Sequence, residues 1–177
     1  MGSFLKNKNY AIHTPFMARK LNQTQLFNVR GSIMKLTLLS SFIFLLVSPA
    51  IAADVSIDML SKQGKERMVF SENIVEINVG DTIFWKAKDK GHNVEFIKKN
   101  GVPDGVKKFK SKLSKDTQFT FEVPGIYAYW CSPHKSAGMI GFVIVGGDKS
   151  NIETIKTVKF RGQSKNLAKK LIAKIGM

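Results

Sequence analysis

Residues 126–145 read IYAYWCSPHKSAGMIGFVIV. Two apolar runs, IYAYWC and MIGFVIV, are rich in aromatic and β-branched residues, the composition of strands. Pro124-Gly125 turns the chain into the first run. Between the runs, Ser132-Pro133 makes a tight bend, because proline fixes φ and offers no N–H. Gly138 permits a second sharp turn before Met139. The stretch therefore predicts two neighbouring strands whose connecting loop presents the thiol of Cys131, the imidazole of His134 and the thioether of Met139 towards one point.

The pattern around this stretch is also β. ENIVEINV (72–79) places Val75, Ile77 and Val79 on one face, and GDT (80–82) turns the chain into IFWKA. HNVEFI (92–97) places His92, Val94 and Phe96 on one face, with Asn93 and Glu95 opposite. TQFTFEV (117–123) directs Phe119, Phe121 and Val123 inward. Short strands at regular spacing with Gly/Pro punctuation predict a sandwich or barrel. Residues 98–114 form a longer irregular, lysine-rich segment. After residue 148 the period changes. Ser150 and Glu153 have capping-box spacing, and Ile152, Ile155 and Val158 recur at helical intervals until Gly162. Ser164 is placed to cap a second helix, with Leu167, Leu171, Ile172 and Ile175 on one stripe. The tail reads as a helical pair packed on the sandwich, with a basic amphipathic membrane helix as the alternative.

The chain has 177 residues and a formal charge of +15. Six of its 28 basic residues precede Asp54, where no acidic residue occurs, so the remainder carries 22 basic against 13 acidic residues, or +9. MKLTLLSSFIFLLVSPAIAA, beginning at Met34, has a lysine, an apolar core and an A-x-A site at Ala50-Ile51-Ala52. It predicts a signal peptide over 34–52, cut near Ala52/Ala53. Residues 1–33 read as an extension outside the natural coding sequence, 53–148 as the β domain and 149–177 as the helical pair. The signal segment predicts export, with no membrane anchor after cleavage.

Export gives the single cysteine its meaning. A lone thiol in an oxidising compartment is an intermolecular partner, a reactive group or a metal ligand. After cleavage the chain keeps two histidines, His92 and His134. Two imidazoles, a thiolate and a weak thioether form the trigonal type 1 copper set. Zinc would fit the same donors but could not change oxidation state. The expected cofactor is one copper ion per chain, held by His92, Cys131, His134 and Met139.

The chain resembles the cupredoxins. The segments that carry the resemblance are MVF (68–70), VGDTI (79–83), DKGHNVEFIK (89–98), PDGVKKFKSK (103–112), PGIYAYWCSPH (124–134) and GMIG (138–141), and they span nearly all of the exported region. The resemblance implies an all-β Greek-key sandwich, the cupredoxin fold, with two C-terminal α-helices. It implies a periplasmic blue copper electron carrier that docks with redox enzymes, a nitrite reductase being a typical acceptor and a cytochrome a donor. It also implies that Asn93 ties its segment to the ligand loop near Ser132, that the Asn93 backbone N–H donates to the cysteine sulfur, and that Pro133 withholds such a bond. Trp130 and Lys135 depart from the family, which often has lysine before the cysteine and usually an aromatic or other residue after the histidine.

Lysines cluster in the segments that flank the ligands. Lys90, Lys98, Lys99, Lys108, Lys110, Lys112 and Lys135, with Trp130, are the candidate docking residues for an acidic-surfaced redox partner, because charge steering gives fast and reversible encounters. Export and the lack of a binding motif speak against nucleic acid. Copper storage or delivery is the rival function. An enzyme is not expected, because no histidine remains for a catalytic copper. The expected oligomeric state is a monomer.

Overall fold

The computed structural model describes residues 54–177. The expected extension at 1–33 and signal segment at 34–52 lie outside the described residues. Among the described residues, the strands are β1 (Asp54–Gln63), β2 (Glu66–Phe70), β3 (Ile74–Ile77), β4 (Thr82–Lys86), β5 (Glu95–Phe96), β6 (Thr117–Thr120), β7 (Gly125–Trp130) and β8 (Ile140–Val145). Helices α1 (Ile152–Lys156) and α2 (Gln163–Ile175) follow. They form two four-stranded sheets, in the orders β2-β1-β4-β6 and β3-β8-β7-β5. The expected all-β sandwich with two C-terminal helices is the architecture that forms.

Strands β7 and β8 are antiparallel neighbours, with Tyr129 opposite Gly141 and Trp130 opposite Ile140. Their near-continuous apolar character has a direct cause, since both of their faces are covered. Tyr127, Tyr129, Val143 and Val145 face the other sheet, in a cluster with Ile57, Trp85, Phe96 and Phe121. Ile126, Ala128, Phe142 and Ile144 point the opposite way, onto Ile155, Val158, Ala168 and Ile175 of the tail. Alternation continued past β7 puts Cys131 into the first cluster with Tyr127 and Tyr129.

The tail thus covers the sandwich, and its apolar stripe is used in packing. Leu167, Leu171 and Ile172 lean on the same cluster. No helix among the described residues is long and apolar enough to cross a membrane. Asn151 anchors the start of the tail by bonding both the N–H and the carbonyl of Ile126, each at 2.9 Å.

Several local expectations need correction. Val79 lies beyond the end of β3 and is 49% exposed; the chain has already turned, because Asp81 accepts the Asn78 N–H and Gly80 adopts φ 93°. Residues 92–97 pair as a strand only at Glu95–Phe96. Their neighbour on the other side is the irregular segment, with Phe96 N–H on Phe109 O, Ser111 N–H on Val94 O and Ser114 N–H on His92 O. Flanked on both sides, Asn93 is buried along with His92 and Val94 rather than facing away.

The remaining corrections concern the caps. The capping box at Ser150 and Glu153 does not form. The cap residue is Asn151, Ser150 N–H bonds Asp148, and Glu153 pairs with Lys156 at 2.6 Å. Helix α1 already ends at Lys156, so Gly162 opens α2 rather than closing α1, and Ser164 lies inside α2, buried.

Candidate metal centre

The centre lies at one end of the sandwich. His92 comes from the turn before β5, and Cys131 directly follows β7. A tight turn after Cys131, closed by His134 N–H on Cys131 O at 3.0 Å, brings the His134 ring back over the thiol. Cys131 Sγ lies 3.4 Å from His134 Nδ1 and 3.8 Å from His92 Nδ1, and the two Nδ1 atoms are 3.1 Å apart. Such separations suit three donors sharing one ion about 2 Å from each nitrogen. Neutral imidazoles and a thiolate are soft enough for Cu(I) and adequate for Cu(II), so the donor set fits copper.

The surroundings prepare these donors. His92 Nε2 meets Ser61 Oγ at 3.1 Å, which leaves Nδ1 to face the thiol. Asp89 in turn accepts the Ser61 N–H at 2.6 Å. Burial lowers the pKa of His92, the neighbouring His134 lowers it further, and Asp89 opposes them. Both burial and His134 favour the neutral imidazole, the form able to bind a metal. Burial pushes the Cys131 thiol up, while the backbone N–H groups of Asn93 and His134 work the other way. Metal binding there displaces the thiol proton. The main chain of Met139 is tied to the same point, because Cys131 N–H donates to Met139 O at 3.0 Å. Met139 is buried in the first cluster beside Cys131.

Asn93 bridges the segments that carry His92 and Cys131. Its Oδ1 accepts the Ser132 N–H at 2.8 Å, and its Nδ2 donates to Ser132 Oγ at 3.1 Å and to Ser111 O at 3.2 Å. Pro133 is exposed and His134 half-buried at the rim. Ser61, Ser111 and Glu95 escaped the sequence reading. Ser61 stands 31 residues before His92, and no local pattern marks it.

Glu95 is a hub beside the loop. It accepts Ser132 Oγ–H at 2.7 Å and Trp130 Nε1–H at 3.3 Å, and Lys110 Nζ lies 3.4 Å away. Burial works against its charge, but the Ser132 hydroxyl, the Trp130 indole and the Lys110 ammonium outweigh it and hold the carboxyl below its ordinary 4.5. A depressed folded pKa contributes stability above the ordinary value and loses it as pH falls through the folded one. Glu95→Gln is therefore expected to cost about 1–2 kcal/mol at neutral pH. The gap to the parent should close on acidification, as read by urea unfolding at stepped pH. A gap that stays constant into acid would defeat this account.

The candidate docking lysines Lys90, Lys98, Lys99, Lys108, Lys110, Lys112 and Lys135 are all exposed. Lys110 is partly engaged by Glu95. Lys135 Nζ sits 5.5 Å over the half-buried Trp130 ring. Trp130 packs against the second apolar cluster on the face opposite Cys131.

A two-sheet sandwich whose end loops converge two imidazoles and a buried thiol on one point defines a class, the blue copper electron carriers. The family described as copper binding proteins, plastocyanin/azurin family, matches residues 57–146. The chain belongs to this family, and copper is its cofactor. Within it the likeness is to pseudoazurins. The chain is 40% identical over 114 residues to the pseudoazurin of Paracoccus pantotrophus, covering 64% of this chain and 78% of that one. The pseudoazurin crystal structure from Methylobacterium extorquens AM1 superposes with a TM-score of 0.66 at 33% identity, over 70% of this chain and 99% of that one. A pseudoazurin from Sinorhizobium meliloti gives 0.65 at 37%, over 69% and 95%.

Proposed function

We propose that the chain is an exported, monomeric one-electron shuttle of the periplasm, released by cleavage near Ala52/Ala53. Its donor would be a cytochrome and its acceptor an acidic-surfaced redox enzyme such as a nitrite reductase. The observation that carries this reading is the convergence of Cys131 Sγ with His92 Nδ1 and His134 Nδ1 within 3.1–3.8 Å in a site walled by the apolar core.

Bound to these donors, copper supplies a Cu(I)/Cu(II) couple. His92, Cys131 and His134 hold it, with Met139 as the fourth and weaker donor. Asn93 holds the segments carrying His92 and Cys131 at a fixed separation. A donor frame braced in this way gives both oxidation states similar surroundings. His134, half-buried at the rim, is the contact through which an electron passes to a docked partner. Lys90, Lys98, Lys99, Lys108, Lys112 and Lys135, with Lys110 and Trp130, steer and seat that partner. Copper delivery is disfavoured by the enclosure of Cys131, which leaves an acceptor protein no route to the sulfur.

The test is a visible spectrum of the chain from Ala53 onward after Cu(II) and then ascorbate. The expected result is an intense thiolate-to-copper band that bleaches on reduction and returns on oxidation. Electron transfer to an acidic acceptor should slow as salt rises. A folded, copper-exposed protein without the band would overturn the reading. Rapid transfer of the copper to a chelator would favour delivery instead.

A further inference from the structure

Helix α2 meets the metal loop at its first turn and at the residue before it. Gly162 adopts φ 56°, and a Cβ there would lie 2.4 Å from Ser136 O, so the backbones are in direct contact. Gln163 N–H donates to Ser136 O at 2.9 Å. Ser164, fully buried, accepts the Gly138 N–H on its hydroxyl at 3.1 Å. A Cβ on Gly138 would also lie 4.0 Å from Leu167 Cδ2, so helix and loop pack at that point as well. Three consecutive residues of the tail thus hold two of the four loop positions, 136 and 138, between His134 and Met139.

Gly138 itself has φ 107°. Its carbonyl accepts Ile140 N–H at 2.9 Å. Its N–H would be an unmade buried bond if Ser164 were absent. Met139 comes next, with its carbonyl on Cys131 N–H. The main chain of Met139 is thus fixed on one side by the cysteine and on the other, through Gly138, by the tail.

We propose that Ser164 is a positioning residue for the metal loop: by accepting the Gly138 N–H it sets where Met139 stands relative to Cys131, and so tunes the reduction potential of the centre. The inference rests on Met139 as the fourth donor. A thioether donor favours Cu(I), and its distance changes how strongly it does so. The helical tail, on this account, is a strut for the ligand loop as well as a cover for the sheet.

Three variants test it. Ser164→Ala deletes the acceptor with little change of volume. Gln163→Pro sits at the first helical position, which tolerates proline; it removes the N–H and presses the ring against Ser136 O. Ile175→Ala weakens the far end of the tail without touching the loop. In the copper-free protein, Gly138 amide exchange is expected to quicken about tenfold in Ser164→Ala and to stay unchanged in Ile175→Ala. In the copper-loaded protein, Ser164→Ala and Gln163→Pro are expected to shift the midpoint potential and the relative strength of the charge-transfer bands. Ile175→Ala should lower Tm while keeping the parental potential.

A parental potential and spectrum in folded Ser164→Ala would overturn the proposal, as would an equal shift in Ile175→Ala. If Ser164→Ala fails to fold, the potential of Gln163→Pro decides. A parental protein lacking the blue band would instead sink the electron-carrier reading, and the amide exchange result would still report on the clamp.

Discussion

The Cys131→Ser variant, exposed to Cu(II), is expected to stay colourless where the parental protein turns blue. The band comes from charge transfer out of a thiolate, and serine cannot supply one at neutral pH. Copper affinity should fall well beyond the roughly 100-fold that follows loss of a supporting group, because a primary donor has gone. The fold should survive. Cys131 is fully buried among Tyr127, Tyr129 and Met139, and its backbone bond to Met139 O does not involve the side chain. Burying a hydroxyl in place of a thiol should cost about 1–2 kcal/mol, read by urea unfolding of the copper-free protein. A blue band in a folded Cys131→Ser protein would remove Cys131 from the centre.

The second large effect is expected at Asn93. Asn93→Ala deletes the acceptor of Ser132 N–H and the donor to Ser132 Oγ and Ser111 O, all at a position 1% exposed. Three lost bonds and a stranded, partly buried N–H should cost about 3 kcal/mol of stability in the copper-free protein. Copper affinity should fall by about 10–100-fold, because the two ligand segments are no longer tied together. Asn93→Asp separates the contributions: it keeps the acceptor for Ser132 N–H but loses both donations and buries a charge. If Asn93→Ala unfolds like the parent and binds copper as tightly, the bridge has no structural role.

How much of this was visible in the sequence depends on the kind of interaction. Alternation placed Phe119 and Phe121 on one inward face, and the turn residues between Cys131 and Met139 marked a loop between strands. Both are local, and the structure agrees. The approach of His92 to Cys131 and His134 could be inferred because the chemistry of the donor set demanded a partner and few histidines were available. The Ser132–Asn93 tie was anticipated only through the family resemblance. Ser61 and Glu95 were invisible because each acts across the fold on a partner far away in the chain, and a serine or glutamate in a strand has no distinctive signature. The tail failed in an instructive way. Ser150 and Ser164 have the residue type and spacing of caps, but tertiary contacts claimed both ends. Asn151 was recruited to β7, and Ser164 was recruited to Gly138. Local propensity gave way to packing, which is the usual order of strength.

The pairing of β3 with β8 has a consequence for how the protein matures. Ile74 lies opposite Phe142, and Ile77 opposite Val145, in a parallel ladder that cannot begin until almost the whole sandwich has been delivered. His92 and Cys131, 39 residues apart, likewise meet only on closure. Contacts of such long sequence separation make folding slow relative to helical domains. Throughout that interval the single thiol is open to any oxidant. Once β8 docks, Cys131 is fully enclosed. The chain's exposure to irreversible sulfur oxidation is therefore set by a race between strand docking and chemistry, and it ends when the last strand closes over the site.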